Sequence, residues 1–395
     1  MGLDVKKEVK KIEKDMISWR RELHKIPELG LELPKTTQFV CDRLEEMGIP
    51  YKTLVNGNAV VGLIKGSGEG KTIAIRADMD ALPIQEETGL PFASINNNMH
   101  ACGHDGHTTM LLGAAKVLND HRGQLKGNVK LLFQPGEEYP GGAKPMIEEG
   151  ALKNPKVDTI IGLHAGNISD GTPKGKIAIS YGRMMASMDR MLIKVKGEGG
   201  HGAYPHNLID PIVIAAEVIT SLQTIASREI PAVEPIIVSI CRVQGGFNQN
   251  IIPDEVELEG TVRTFNNKVR KKIAKRMEEK IKGITKSYGA DYELQYDFKY
   301  PPLINHREYT EKFVQSAKKI LPEEDIVELE NPLMGGEDMS YFLEEVPGTF
   351  FFLSNMKAID GEIHSHHSSK FDMDEGEFWK GTALFVQTAL DFLNE

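Results

Sequence analysis

Residues 128–138 read "NVKLLFQPGEE", an apolar run of strand length that ends in two adjacent carboxylates. Before it, "HTTMLLGAAKVLND" (107–120) carries apolar residues at helical spacing. After it come a helical "GAKPMIEEGAL" and a strand-like "VDTIIGLHAG". Strands alternating with helices are the pattern of a layered α/β domain. Further upstream, "AVVGLI" and "TIAIRAD" read as strands joined by "KGSGEGK" (65–71). That joint ends in Gly-Lys-Thr, but Lys65 stands where a phosphate-binding loop needs its first glycine. It reads instead as a flexible hairpin turn. Residues 5–47 read as helix interrupted by "HKIPELGLELPKTT".

From about Met191 the pattern changes. "MLIKVKG" is a strand, and "DPIVIAAEVITSLQTIAS" is a helix with Asp210 as N-cap and Pro211 in its first turn. "PIIVSICRVQ" and "VELEGTVRTF" follow as strands, then the helix "NKVRKKIAKRMEEKIKGITKSYG" and the strand "DYELQYDF". The order β-α-β-β-α-β is that of a ferredoxin-like unit. After "YPPLIN" the α/β pattern resumes, with "PGTFFFL" as a strand and a C-terminal helix. The expected organisation is a larger α/β domain in two parts, 1–187 and 300–395, with a smaller domain inserted at 188–299.

A chain of 395 residues is long for one hydrophobic core, which agrees with two domains. Its 40% hydrophobic and 26% charged residues fit a soluble globular protein. The net charge of -10 is spread along the chain, whereas phosphate binding needs a basic stripe, so nucleic acid is excluded as the main partner. No apolar run approaches the roughly 20 residues of a membrane span. The start, "MGLDVKKEVKKIEKD", has no apolar signal segment, and Lys6 stands where a myristoylation signal needs Ser or Thr. Three scattered cysteines make no disulfide framework. A cytoplasmic location is expected.

Polar clusters follow three of the strands: Asp78 and Asp80, then Glu137 and Glu138, then His164. Ligands of open α/β sheets bind beyond the carboxyl ends of strands, so these groups can converge there. A fourth cluster, "MHACGHDGHTTM" (99–110), leads into a helix. On an extended loop Cys102 and His104, two apart, point the same way and can grip one ion. Cysteine, histidine and glutamate are the ligand types a zinc-like ion prefers. The rival readings are a Cys102 nucleophile with His104 as base and a polar loop. The nucleophile reading leaves the carboxylate pair and the other histidines without a role. A zinc deaminase is excluded because its Pro-Cys-x-x-Cys partner is absent.

"RRELHKIPELG", "IRADMDALPI", "MHACGHDGHTT", "LLFQPGEE", "GGHGAYPH", "NIIPDEVELEGTVRTF" and "HSSKFDMDE" occur in this order across nearly the whole chain. Together they resemble the M20 metallopeptidase family in its amidohydrolase branch. That branch includes hippurate hydrolases, auxin-conjugate hydrolases, N-acetyl-diaminopimelate deacetylases and some carboxypeptidases. The resemblance implies a zinc-peptidase-like α/β catalytic domain with an inserted ferredoxin-like lid that also dimerises. It implies two divalent ions per subunit, held by Cys102, His104, Glu138, His164 and His367. The family pattern His-Ser-x-x-Phe selects His367 through Phe371, leaving His364 and His366 as exposed loop residues. Ser369 stands where many relatives carry proline, and Gly136 replaces a common alanine.

Adjacent residues of an extended segment point to opposite sides, so Glu137 and Glu138 divide two roles. The resemblance makes Glu138 a ligand and Glu137 the general base, which takes a proton from water and returns it to the departing amine. Asp80 resembles the carboxylate that orients a ligand histidine. In the lid, His201 matches an oxyanion-stabilising histidine, and Asn250 and Arg263 match substrate-binding positions. A guanidinium grips both oxygens of a carboxylate at once. The roles of Asp78, His206, Glu337 and Asp338 are left open.

The expected activity is metal-dependent hydrolysis of the amide bond of N-acyl-amino acids. A carboxypeptidase or aminoacylase, or an N-acetyl-diaminopimelate deacetylase, is the near alternative. A thiol amidase using Cys102 is the distant one. The thiolate ligand favours Zn2+, with Mn2+, Co2+ or Ni2+ as other choices. The partners expected are a small N-acyl-amino acid or short peptide and, through the lid, a second copy of the chain. In relatives the lid presents the histidine matching His201 to the partner's metal centre.

Overall fold

Strand Thr72–Asp78 is buried along its whole length, and both its neighbours, Asn128–Gln134 and Thr159–Gly166, run parallel to it. A strand covered on both faces takes a continuous apolar run rather than alternation, which "TIAI" and "TIIGL" supply. The computed structural model describes residues 3–166 and 171–395. These form two compact units, one of residues 1–184, 305–332 and 338–395, the other of 185–304 and 333–337.

The first unit is built on an eight-stranded sheet. Gly348–Ser354 extends the parallel core beside Thr159–Gly166. Antiparallel strands Ala59–Lys65 and Tyr51–Leu54 complete one edge. Ile177–Ile179 and Ile326–Glu328 complete the other. Helix Phe378–Asn394 packs on helices His104–Asp120 and Arg307–Ile320. Met16, Met110, Leu111, Phe351 and Phe385 belong to the shared core.

The joint at 65–71 is not a hairpin turn. Strand Asn128–Gln134 lies between the two strands that it connects, antiparallel to one and parallel to the other. The joint instead runs along residues 125–127, with Gly66 N–H donating to Gly127 O and Ser67 N–H to Leu125 O. A Cβ on Gly66 would meet the Leu125 carbonyl oxygen at 2.3 Å, so glycine permits this close approach.

Helix Glu13–His24 is held down by a buried charge network. Arg20 meets Asp105 and Asp372 at 2.9 Å each and Glu375 at 3.3 Å. Removing one partner from such a buried cluster typically costs about 3–5 kcal/mol, because the charges left behind stay desolvated. His24 extends the network, with Nδ1 2.7 Å from Asp105 and Nε2 3.2 Å from Glu86. The N-terminal helix, the start of helix His104–Asp120 and residues 372–375 are thereby tied together.

The second unit has the expected ferredoxin-like order. Its four strands lie in the order Ile236–Gln244, Glu255–Thr264, Asp189–Lys196, Asp291–Phe298, all antiparallel. Asp210 caps helix Pro211–Thr224 through the Ile212 N–H, and Asn266 caps Asn267–Ser287. In Glu255–Thr264 every second residue is buried, and Val256, Leu258 and Val262 join Val218, Leu222, Ile273 and Met277 in the core. Arg263 therefore lies on the sheet face away from the helices. Among the described residues no helix is long and apolar enough to cross a membrane.

Candidate metal centre

Asp80 follows the buried strand Thr72–Asp78 by two residues and organises what surrounds it. Its Oδ1 lies 3.2 Å from His104 Nδ1 and accepts the Glu137 N–H at 2.9 Å. Its Oδ2 accepts the Glu138 N–H at 3.1 Å. The Glu pair is not extended as expected. It sits in a turn entered through Gly136 at φ 67°, which aims both N–H groups at one carboxylate.

Cys102 and His104 also converge by another route than the extended loop. Gly103 is left-handed (φ 88°), and His104 opens the helix. A Cβ at Gly103 would lie 2.7 Å from Met373 Sδ, so packing and conformation both demand glycine. Cys102 Sγ is 3.3 Å from His164 Nε2. The His164 Nδ1–H donates to the Ala165 carbonyl at 3.0 Å, which leaves Nε2 as the free lone pair. His367, at φ 64°, anchors its N–H on Ala101 O and places Nε2 3.0 Å from Glu138 Oε1.

Three overlapping groups result: Cys102–His104–His164, Cys102–Glu138–His367 and His104–Glu137–Glu138, each with its ligand-type atoms within 4.8 Å of one another. His104 Nε2 is buried with no hydrogen-bond partner among the described residues, while its Nδ1 is committed to Asp80. An imidazole fixed at one nitrogen and bare at the other is the usual state of a metal-binding histidine. The residues therefore fit a divalent metal.

The electrostatics point the same way. Burial opposes a charge on His104, but Asp78, Asp80 and Glu138 outweigh it and hold its pKa up at about 10. Burial, then the Glu138 and Glu137 carboxylates, push the Cys102 thiol well up. A nucleophilic thiolate needs electropositive surroundings, which are the reverse of these. A bound cation would invert that balance and favour a thiolate there.

The two histidines expected to be exposed do lie in the loop, but their side chains are half-buried. His366 is half-buried, with Nδ1 3.7 Å from Cys102 Sγ and its ring 4.6 Å from Phe371 and 5.1 Å from His164. It lies over Gly166, where a Cβ would come within 2.3 Å of its ring. His364 is half-buried as well. Spacing along "IHSHHSSKF" cannot reveal this, because it depends on the bare backbone of Gly166 more than 190 residues earlier. Asp78 is bonded on both oxygens, by Arg76 at 2.8 Å and His107 at 2.5 Å. Asp338 accepts from Arg76, from Gln134 and from the Gly142 and Ala143 N–H groups at 2.8–3.0 Å.

Within the second unit, Gly200–His201 pairs with Ile251–Ile252, and the Gly202 N–H donates to Asn250 O. This ribbon brings His201 and Asn250 together, both exposed. The His201 ring lies 5.3 Å from Tyr204, and Nδ1 accepts the Ala203 N–H at 3.1 Å. Arg263 has a buried Nη1 with no hydrogen-bond partner among the described residues. His206 is exposed, and Glu337 is buried in the 333–337 stretch.

A sequence model of peptidase family M20/M25/M40 matches residues 74–391. An N-acyl-L-amino acid amidohydrolase of Geobacillus stearothermophilus is 45% identical over 307 residues, 77% of this chain and 82% of that protein. Thermostable carboxypeptidase 1 of Saccharolobus solfataricus is 40% identical over 396 residues, 99% of this chain and 98% of that one. A solved dinuclear metal-binding M20 peptidase of Bacillus subtilis superposes with a TM-score of 0.83 at 35% identity, covering 98% of this chain and 99% of that chain.

Proposed function

This chain belongs to peptidase family M20/M25/M40 and is a metal-dependent hydrolase of amide bonds, and we propose that it cleaves N-acyl-amino acids with the residues described above. The observation that carries the reading is the sharing of Cys102, His104 and Glu138 between overlapping ligand groups. One ligand set so divided suits two ions side by side. Cys102, His104, Glu138, His164 and His367 would hold them, with zinc favoured by the thiolate. When bound, such ions polarise the scissile carbonyl and lower the pKa of water.

Glu137 holds the proton in transit. Its backbone is pinned to Asp80, and its carboxylate shares a ligand group with His104 and Glu138. It accepts the proton of the attacking water and delivers it to the leaving amine. Arg263, with a nitrogen unpartnered, binds the free carboxylate of the amino acid, and Asn250 hydrogen-bonds the substrate. His201 donates to the developing oxyanion.

The second unit is proposed as lid and dimerisation domain. Strand Ile236–Gln244 is an edge with one neighbour, and Val243 and Phe247 beyond its bulge are 59% and 81% exposed. An edge of this kind pairs readily with another chain. The three free cysteines agree with a reducing, cytoplasmic setting.

The test is turnover of acetyl-, benzoyl- and indoleacetyl-amino acids and of dipeptides by metal-loaded and chelated enzyme. Loss of N-acyl-amino-acid cleavage on chelation and its return with zinc is the expected result. Activity indifferent to chelation, or confined to dipeptides, would overturn the proposal.

A further inference from the structure

Thr72–Asp78 stays paired with Asn128–Gln134 through Asp78 itself, but its pairing with Thr159–Gly166 stops at Arg76 and Gly162. Beyond that point the sheet opens, and the backbone groups facing the gap need other partners. His107, on helix His104–Asp120, fills it. Its Nε2 accepts the Ala165 N–H at 2.8 Å, and its Nδ1 lies 2.5 Å from Asp78 Oδ1. The neighbouring Thr108 hydroxyl donates to the Asp78 carbonyl at 2.9 Å. Two side chains of one helical turn thus continue the ladder that the strands abandon.

The protonation pattern follows from the partners. A backbone N–H only donates, so His107 Nε2 bears the lone pair and Nδ1 bears the proton, which goes to Asp78. Both ring nitrogens are then used. Asp78 is used as well, its other oxygen held by Arg76, which Asp338 grips in turn at 2.8 Å. All four side chains are almost wholly buried. Asp78, His104 and His107 do present ligand-type atoms within 4.8 Å, yet His107 has no free lone pair to offer, and each Asp78 oxygen is already committed to a hydrogen bond, one from Arg76 and one from His107.

We infer that His107, braced by Asp78, is a positioning residue for His164 and that neither His107 nor Asp78 is a metal ligand. The Ala165 N–H that His107 holds belongs to the peptide bond leaving His164, so it fixes that residue's backbone. The Ala165 carbonyl holds the His164 Nδ1–H. The His107 ring stands edge-on to His164, with centroids 4.6 Å apart. The aim of His164 Nε2 toward Cys102 is thus set from three directions. This inference rests on His164 being a ligand, as proposed above.

Cadmium-loaded wild-type enzyme with isotope-labelled histidine gives a direct test by NMR. Scalar coupling from cadmium to His104, His164 and His367, with none to His107, is expected. Coupling to His107 would overturn the inference. Coupling to none of the first three would overturn the metal-centre reading instead, so the two failures are distinct. A second test uses His107→Phe and His107→Gln. The Phe variant should bind the same number of ions as wild type with affinity weakened about 10–100-fold, as expected for a group behind a ligand. Gln retains a carbonyl for Ala165 and an amide for Asp78, and should recover part of that loss. Unchanged affinity in the Phe variant, or loss of one ion, would each refute the positioning role.

Discussion

The carboxylate of Asp80 accepts the backbone N–H of Glu137 at 2.9 Å with the same oxygen that lies 3.2 Å from His104 Nδ1. One side chain therefore fixes both the tautomer of a histidine and the path of the Glu turn. Asp80→Asn keeps the volume but replaces one acceptor with an NH2 group, so a histidine or a backbone N–H loses its partner. Metal affinity should weaken about 10–100-fold, measured by competition with a chromogenic chelator. Wild-type affinity in this variant would show that Asp80 does not position the centre.

Glu137 and Glu138 share that turn but are expected to separate on substitution. Glu137→Ala should retain its metal and lose turnover by ~10²–10⁴-fold, the range for a general base. Glu138→Ala should lose metal together with activity. Elemental analysis of the two purified variants decides, and equal metal loss in both would refute the division of roles.

Cys102 provides a test of thiol chemistry. Burial and the neighbouring carboxylates raise its pKa. In chelated enzyme it should therefore alkylate more slowly than a free peptide thiol at neutral pH, with the rate climbing only at alkaline pH. Metal-loaded enzyme should protect it throughout. Mass-spectrometric mapping reads the modification, and an acyl-cysteine trapped with substrate would sink the metal-hydrolase assignment.

His201 lies in the second unit, and its proposed action across a dimer can be read by subunit mixing. His201→Ala should cost ~10²–10³-fold in rate with metal retained. Combining inactive His201→Ala and Glu137→Ala subunits should regenerate activity if His201 works in trans, because each mixed dimer then holds one site with both groups. Verified mixed dimers that stay inactive would show that it works in cis.

Lys130 gives a pH signature away from the centre. Its ammonium is buried against the Ala151 and Lys153 carbonyls, and burial pushes its pKa from 10.5 down to about 8. Between those values the unfolded chain holds a proton that the folded one has released, so this residue's contribution makes stability rise with pH. Relative to Lys130→Met, wild type should gain stability from pH 8 to pH 10.5, by no more than about 3 kcal/mol. Urea unfolding of both proteins across that range reads the difference, and a constant gap would contradict the buried, shifted lysine.

Much of this protein is determined locally and was legible in the sequence. Continuous apolar runs mark the fully buried strands and helical periodicity the amphipathic helices, and Asp210 announces its helix as a cap. Residue chemistry points to Cys102, His104, the Glu137–Glu138 pair and His164 as candidates, because few other side chains bind a divalent ion. Tertiary structure alone decided the rest. The strands flanking residues 65–71 look like a hairpin, yet Asn128–Gln134 lies between them, since strand pairing is chosen by long-range packing and not by chain proximity. Cys102 and His104 converge because Gly103 adopts a left-handed turn beneath Met373, a contact from the far end of the chain. His366 and His107 have no distinguishing spacing. The first lies beside Cys102 because Gly166 leaves room for its ring, and the second fills the gap where two parallel strands part. A side chain's type limits what it can bind, but the backbone groups left unpaired around it determine what it does bind.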